Sequence, residues 1–200
     1  MSCRRSIILW GLALILVMIP GNGQTYGGIV FLGDSLTAGG KWSEFFPEHH
    51  ITNLGVVSDS TAGVLNRLDE VVKQRPEKVF IMIGVNDLGA GVTVPEITDR
   101  YAQIIRQLTS KLPKTRFYLQ SVLPVNRQLY RRKLNPDHIM AVNYLLQSLA
   151  GRFRATYIDL FSRFSTPDRQ LHREYTTDGV HLNARGYQIW KDCIEEDINE

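Results

Sequence analysis

The feature that most constrains this chain is an alternation of short apolar runs with stretches of helical spacing. Ile29–Leu32 is a continuous apolar, β-branched run, and Lys78–Gly84, carrying Val79-Phe80-Ile81-Met82-Ile83, is the strongest of the set. Phe117–Val122 and Thr156–Leu160 read the same way, and Ile51–Leu54 is a weaker member. Strands that are apolar throughout, rather than alternating, belong to parallel sheets covered on both faces. Between them lie helical stripes. Thr61–Gln74 places Val64, Leu65, Leu68, Val71 and Val72 on one face, which predicts one helix. Thr93 followed by Glu96 resembles a capping box, and Tyr101, Ile104, Ile105, Leu108 and Leu112 line the helix it opens. Asp137–Phe153 and Ala184–Ile198 complete the series. Strand–helix alternation of this kind predicts an α/β three-layer sandwich. A five-stranded parallel sheet is flanked by helices and joined by right-handed crossovers. No repeat, linker or low-complexity tract interrupts residues 24–200, which read as a single domain.

Residues 1–23 differ from the rest. Arg4 and Arg5 precede the apolar run Ile7 to Ile19, followed by Pro20 and Gly21-Asn22-Gly23. That order matches a signal peptide cleaved after Gly23, which predicts an exported protein, periplasmic or extracellular. The alternative is an uncleaved membrane anchor, although the run is short of the roughly 20 apolar residues a span requires. Cleavage removes two arginines and no acids, leaving 21 Lys and Arg against 20 Asp and Glu. Such balance offers no field for nucleic acid, and no stable membrane insertion is expected once the leader is gone. Cys193 alone then remains, so no internal disulfide is expected, and its helical setting predicts a small buried hydrophobe.

In an open parallel sheet the site lies beyond the carboxyl ends of the strands. Ser35 follows the first strand within Gly33-Asp34-Ser35-Leu36. Asn53 to Thr61 follow the second, and Gly84-Val85-Asn86-Asp87 the third. Asp178-Gly179-Val180-His181 precedes the last helix. Ser, His and Asp together are the groups of nucleophilic acyl transfer. Each alone has a structural reading: Ser35 as a helix cap, Asp178 as a turn residue, His181 as a structural histidine. Asn86 and Asp87 read likewise as Asx-turn or capping residues, and Asp87 is assigned to structure. Asp34 is expected to brace the loop. Their joint placement at strand ends favours catalysis.

These blocks, in this order, resemble the SGNH hydrolases, also called the GDSL esterase/lipase family. Gly33-Asp34-Ser35-Leu36 matches the first block, Gly84-Val85-Asn86-Asp87 the third and Asp178-Gly179-Val180-His181 the fifth. The run from Asn53 through Leu123-Pro124 is similar to the platelet-activating factor acetylhydrolase catalytic-subunit branch and its bacterial relatives. The resemblance implies a flavodoxin-like SGNH fold and a serine esterase with Ser35 as nucleophile, His181 as base and Asp178 as its orienting partner. It implies an oxyanion hole from the Ser35 N–H, the Ser58 N–H and the Asn86 side chain, with neither cofactor nor metal. One block departs. The family places Gly where this chain has Ser58, ahead of Asp59-Ser60-Thr61, and Gly55 is a lesser candidate for the missing donor.

Around this constellation, Trp42, Phe45 and Phe46 either wall the substrate or pack the first helix. His49, His50, His138 and His172 have no metal-ligand spacing. The loop Pro124 to Pro136 carries Arg127, Tyr130, Arg131, Arg132 and Lys133, and is either a basic rim or a solvated face. Its polarity argues against a tunnel for long acyl chains. The expected substrate is therefore a short-chain ester, acetyl for preference, on a carbohydrate or other polar alcohol. The alternatives are a lysophospholipase or thioesterase, or a non-catalytic binding module. The sequence does not decide the oligomeric state.

Overall fold

A computed structural model of the chain describes residues 26–130 and 134–200. The expected leader therefore lies outside the described residues. Five strands, β1 (Ile29–Gly33), β2 (Ile51–Gly55), β3 (Lys78–Met82), β4 (Arg116–Gln120) and β5 (Thr156–Ile158), form one sheet in the order β2-β1-β3-β4-β5. Every neighbouring pair is parallel. The helices are α1 (Ser35–Ala38), α2 (Trp42–Phe45), α3 (Thr61–Asn66), α4 (Leu68–Gln74), α5 (Val85–Gly89), α6 (Val94–Lys111), α7 (Pro136–Phe153), α8 (Phe161–Phe164) and α9 (Ala184–Asn199). Among the described residues no helix is long and apolar enough to cross a membrane.

The strand signals track burial. β1 and β3 are buried at every position, so their sequences carry apolar residues without alternation. β2 is an edge strand and only half-buried, which explains its weaker signal. Phe31, Phe80 and Tyr118 occupy one register on three adjacent strands, and their rings stack at 5.1 and 4.4 Å. Trp42 extends the stack, 4.2 Å from Phe31, and Trp190 of α9 meets it edge-on at 4.9 Å. Aromatic pairs of this kind add about 0.5–1.5 kcal/mol each beyond their burial. Burial settles the role of Trp42 and Phe46, which are 1% and 4% exposed: they pack the fold. Phe45, half-buried, meets Trp42 edge-on.

Toward the opposite side, α4 packs on β1, α7 on β4, and α6 against α3, α4 and α7. The Tyr101 hydroxyl of α6 donates to the Ile83 carbonyl at 2.8 Å and accepts the Ile83 N–H at 2.9 Å, pinning the end of β3. Thr93 and Glu96 form the expected capping box at the start of α6.

One expected element is corrected. The helix predicted over Thr61–Gln74 is two helices, broken at Arg67, whose backbone leaves the helical region at φ −121°, ψ 21°. The apolar stripe runs through the break because α3 and α4 both bury their inner faces, at Val64 and at Leu68 and Val71.

Candidate active site

The strand order reverses direction between β1 and β3, and a crevice opens at such a switch point. Ser35 stands just past β1, and Asn86 just past β3. A side chain at Gly33 would place its Cβ 2.2 Å from the Met82 carbonyl and 2.3 Å from Thr37 Oγ1, so only glycine lets these elements converge. Asp34 caps α1, its Oδ1 accepting the Leu36 N–H at 2.9 Å. Ser35 is half-buried, and its Oγ lies 3.0 Å from His181 Nε2.

The other side of that contact is a turn held from several directions. His181 Nδ1 is 2.6 Å from Asp178 Oδ2. Asp178 Oδ1 accepts the N–H groups of Val180 and His181 at 3.0 and 2.8 Å. Burial alone would raise the Asp178 carboxyl, but the bonds from the His181 ring and these two N–H groups outweigh it and hold it below the usual carboxylate range. Thr176 Oγ1 donates to the His181 carbonyl at 2.6 Å and accepts the Gly179 N–H at 2.9 Å. Gly179 has φ +93°, and a Cβ there would sit 2.6 Å from the Tyr130 nitrogen and 2.7 Å from the Asn126 carbonyl. Asn126 is buried, donates its N–H to the Gly179 carbonyl at 2.8 Å and anchors its amide on the Leu171 carbonyl at 3.0 Å. The loop after β4 thus buttresses the histidine turn. Of its basic residues, Arg127 is described, as is the neighbouring Tyr130, while Arg131, Arg132 and Lys133 lie outside the described residues.

The residues expected around an oxyanion converge from two further segments. Asn86 lies in the first turn of α5, and its Nδ2 donates to the Asp59 carbonyl at 2.9 Å, with no acceptor for the second amide hydrogen among the described residues. Ser58 occupies the third position of a β-turn closed by the Asp59 N–H on the Val56 carbonyl at 3.1 Å. Its φ is +63°, the left-handed region that favours glycine. The Ser35 and Ser58 N–H groups have no acceptor among the described residues. Gly55 does not share this position: its N–H donates to Asn53 Oδ1 at 2.9 Å. A Cβ on Gly55 would lie 2.2 Å from the Ala38 nitrogen, so its smallness serves packing against α1. Ser58, Ser60, Asn86, Asp87, Ala90, Val92 and Arg100 line a cavity of about 310 Å³ beside these donors.

The backbone angle at Ser58 sharpens an expected ordering. Ser58→Gly removes the strain of a left-handed L-residue, of order 1 kcal/mol, and should show turnover equal to or above wild type. Ser58→Ala keeps the main-chain donor and should stay close to wild type. Ser58→Pro removes the N–H and demands a φ of about −65°, so its turnover should collapse. Turnover of acetyl esters by the three purified variants, with circular dichroism as the fold control, checks the ordering. Equal losses for Ala and Pro in a native fold would make the hydroxyl the working group.

Asp34 is 1% exposed, and burial pushes its carboxyl from 3.8 up to about 7, opposed by the Leu36 N–H and the His181 ring and reinforced by Asp59 and Asp87. A raised native value means the folded chain holds a proton that the unfolded chain releases, so this group costs stability as pH rises between the two values. At neutral pH the cost approaches roughly 4 kcal/mol. Asp34→Asn should therefore gain stability relative to wild type as pH climbs from about 4 to about 7, measured by denaturant unfolding. A difference that is flat over that window contradicts the assignment.

Asp87 is buried and structural: its oxygens accept the Thr61 N–H at 2.9 Å and the Thr61 hydroxyl at 2.6 Å. Cys193 is half-buried against the core, and burial raises its thiol. Among the described residues no group of three His, Cys, Asp or Glu could hold a metal ion. Sequence reasoning missed Arg67, Asn126 and Thr176, whose partners are brought to them by the fold across 34, 45 and 5 positions respectively.

Comparison with known proteins places this geometry. The human platelet-activating factor acetylhydrolase IB subunit alpha1 (Homo sapiens) is 28% identical over 165 residues, 80% of this chain and 70% of the relative. The solved structure of a GDSL-like lipase from Bacteroides thetaiotaomicron superposes with a TM-score of 0.77 at 24% identity, covering 86% of this chain and 87% of the other. An acetyl-xylooligosaccharide esterase from Geobacillus Stearmophilus gives 0.72 at 17%, covering 87% and 94%. At these identities the two structures show a shared fold. The profile of the GDSL-like Lipase/Acylhydrolase family matches residues 31–189, from within β1 to within α9, and the chain belongs to that family.

Proposed function

We propose that this chain is a serine esterase that removes short acyl groups, acetyl above all, from a polar alcohol such as a carbohydrate. The observation that carries the proposal is the chain of contacts Ser35 Oγ–His181 Nε2–Asp178, at 3.0 and 2.6 Å, on the switch-point edge of the sheet. Ser35 Oγ attacks the ester carbonyl while its proton passes to His181 Nε2. Asp178 fixes the tautomer that leaves Nε2 free and stabilises the imidazolium. The carbonyl oxygen takes up the negative charge facing the N–H groups of Ser35 and Ser58 and the free amide hydrogen of Asn86, each such donor worth roughly 3–4 kcal/mol of barrier. The tetrahedral species collapses, the bond to the alcohol breaks, and His181 returns the proton to the leaving oxygen. Water then repeats the sequence on the acyl-enzyme, releasing the acid and restoring Ser35.

The substrate class rests on the surroundings. About half of the His181 and Asp178 side chains is exposed, which suits an ester borne on a large alcohol. The neighbouring cavity mixes Ser58, Ser60, Asn86, Asp87 and Arg100 with two small apolar residues, Ala90 and Val92, and so offers polar partners beside a short apolar wall. The bovine and human relatives are named platelet-activating factor acetylhydrolase IB subunit alpha1, which supports acetyl as the acyl group. The expected leader would take the enzyme out of the cytoplasm.

Two assays on the purified protein test the reading: a p-nitrophenyl ester series of increasing chain length, and a panel of acetylated sugars and polysaccharides. Activity should collapse beyond butyrate, with acetate release from the sugars. Rising activity on longer chains would favour a lysophospholipase or thioesterase, and no turnover of any ester would favour a binding module.

A further inference from the structure

We infer that Arg67 is a positioning residue that sets the spacing of the oxyanion donors, an inference that rests on the esterase reading above. Arg67 is the residue at which the expected helix breaks. The break points its side chain back toward the sheet edge. Its Nε and Nη2 lie 2.8 and 2.7 Å from Asp59 Oδ2, and Nη2 also donates to the Gly33 carbonyl at 3.1 Å. The pair is largely buried, with 14% of the Arg67 side chain and 9% of the Asp59 side chain exposed.

Each atom that Arg67 holds leads to a different donor. The Gly33 carbonyl is two residues ahead of Ser35 and also accepts the Val56 N–H at 3.0 Å, fixing the start of the Ser58 turn. Asp59 closes that turn through its own N–H on the Val56 carbonyl. The Asp59 carbonyl carries the Asn86 amide. Asp59 Oδ1 accepts the Ser60 N–H at 2.8 Å, and a Cβ on Gly63 would come within 1.8 Å of the same oxygen, so the carboxylate has one seat. One guanidinium therefore ties the nucleophile strand to the turn of Ser58 and, through the Asp59 backbone, to Asn86. Arginine suits the task because its rigid planar guanidinium holds Nε and Nη2 in fixed geometry against the Asp59 carboxylate and the Gly33 carbonyl, whereas lysine offers one nitrogen at the end of a flexible stem. Donors displaced by about 1 Å lose on the order of 10² in rate while ground-state binding is kept.

The test compares wild type, Ser35→Ala, Arg67→Met, Arg67→Lys and Asp59→Asn with p-nitrophenyl acetate, and measures inhibition by a boronic acid that forms a tetrahedral adduct with serine. Arg67→Met should lower kcat about 10²-fold with KM within about threefold, and weaken boronate inhibition by a similar factor. Arg67→Lys should recover only a small part of the loss. A purely structural role would instead lower the melting temperature and leave kcat per folded molecule and boronate affinity unchanged, which would overturn the inference. Should Arg67→Met not fold, Asp59→Asn, which keeps shape and removes the charge, should show the same kcat and boronate signature. Failure of all three variants to fold would make Arg67 a folding residue and also overturn it. If wild-type turnover does not depend on Ser35, the esterase reading falls with it. If turnover depends on Ser35 and Arg67→Met is unimpaired, this inference alone falls.

Discussion

Replacing Ser35 with alanine is expected to lower kcat on acetyl esters by roughly 10⁵–10⁶-fold while the protein folds normally, the scale seen when a serine nucleophile is removed. The change deletes one oxygen whose partner is His181 Nε2. It leaves the Asp34 side chain capping α1 through the Leu36 N–H and leaves the buried Leu36 untouched. No cavity opens and no buried polar group loses its partner, so the stability change should stay within about 0.5 kcal/mol. Steady-state kinetics and a thermal melt on the same preparation check both parts. Wild-type turnover by the variant would remove Ser35 as nucleophile.

Replacing Asp178 with asparagine is expected to cost about 10⁴-fold in kcat with little change in KM. The isostere can still accept the Val180 and His181 N–H groups on its oxygen, so the turn keeps its shape. Its amide then faces His181 Nδ1 where a carboxylate oxygen stood at 2.6 Å. An N–H donor at that place selects the tautomer with the proton on Nε2, which cannot accept the Ser35 proton. A loss confined to KM, or a variant within tenfold of wild type, would show that His181 does not act through this tautomer.

How far the sequence discloses this molecule depends on how local each feature is. β1 and β3 are legible because burial on both faces leaves no room for polar residues. β2 is faint because it is an edge. The order of Gly33-Asp34-Ser35, Asn86 and Asp178-Gly179-Val180-His181 along the chain is legible because each motif is short and stands at a strand end or before α9. The break at Arg67 is not, since Val64, Leu65, Leu68, Val71 and Val72 keep helical period straight through it. The residue at the break is one with tertiary contacts: Asp59 and the Gly33 carbonyl hold its guanidinium inward. The support of Gly179 by Asn126 is hidden for the same reason, as two loops distant in sequence meet only in the fold. Ser58 is an intermediate case. Its departure from glycine is visible in the sequence, but the reason glycine would suit the place, a φ of +63°, is visible only in the backbone.

The central claim is that Ser35 carries the acyl group during turnover. The direct measurement is rapid mixing with p-nitrophenyl acetate, acid quench and mass spectrometry of the digested protein. The account predicts a burst of p-nitrophenol of about one equivalent per enzyme, together with the mass of one acetyl group on the Ser35 peptide and none on Ser35→Ala. Acetyl on another residue, or the same burst from Ser35→Ala, would contradict it.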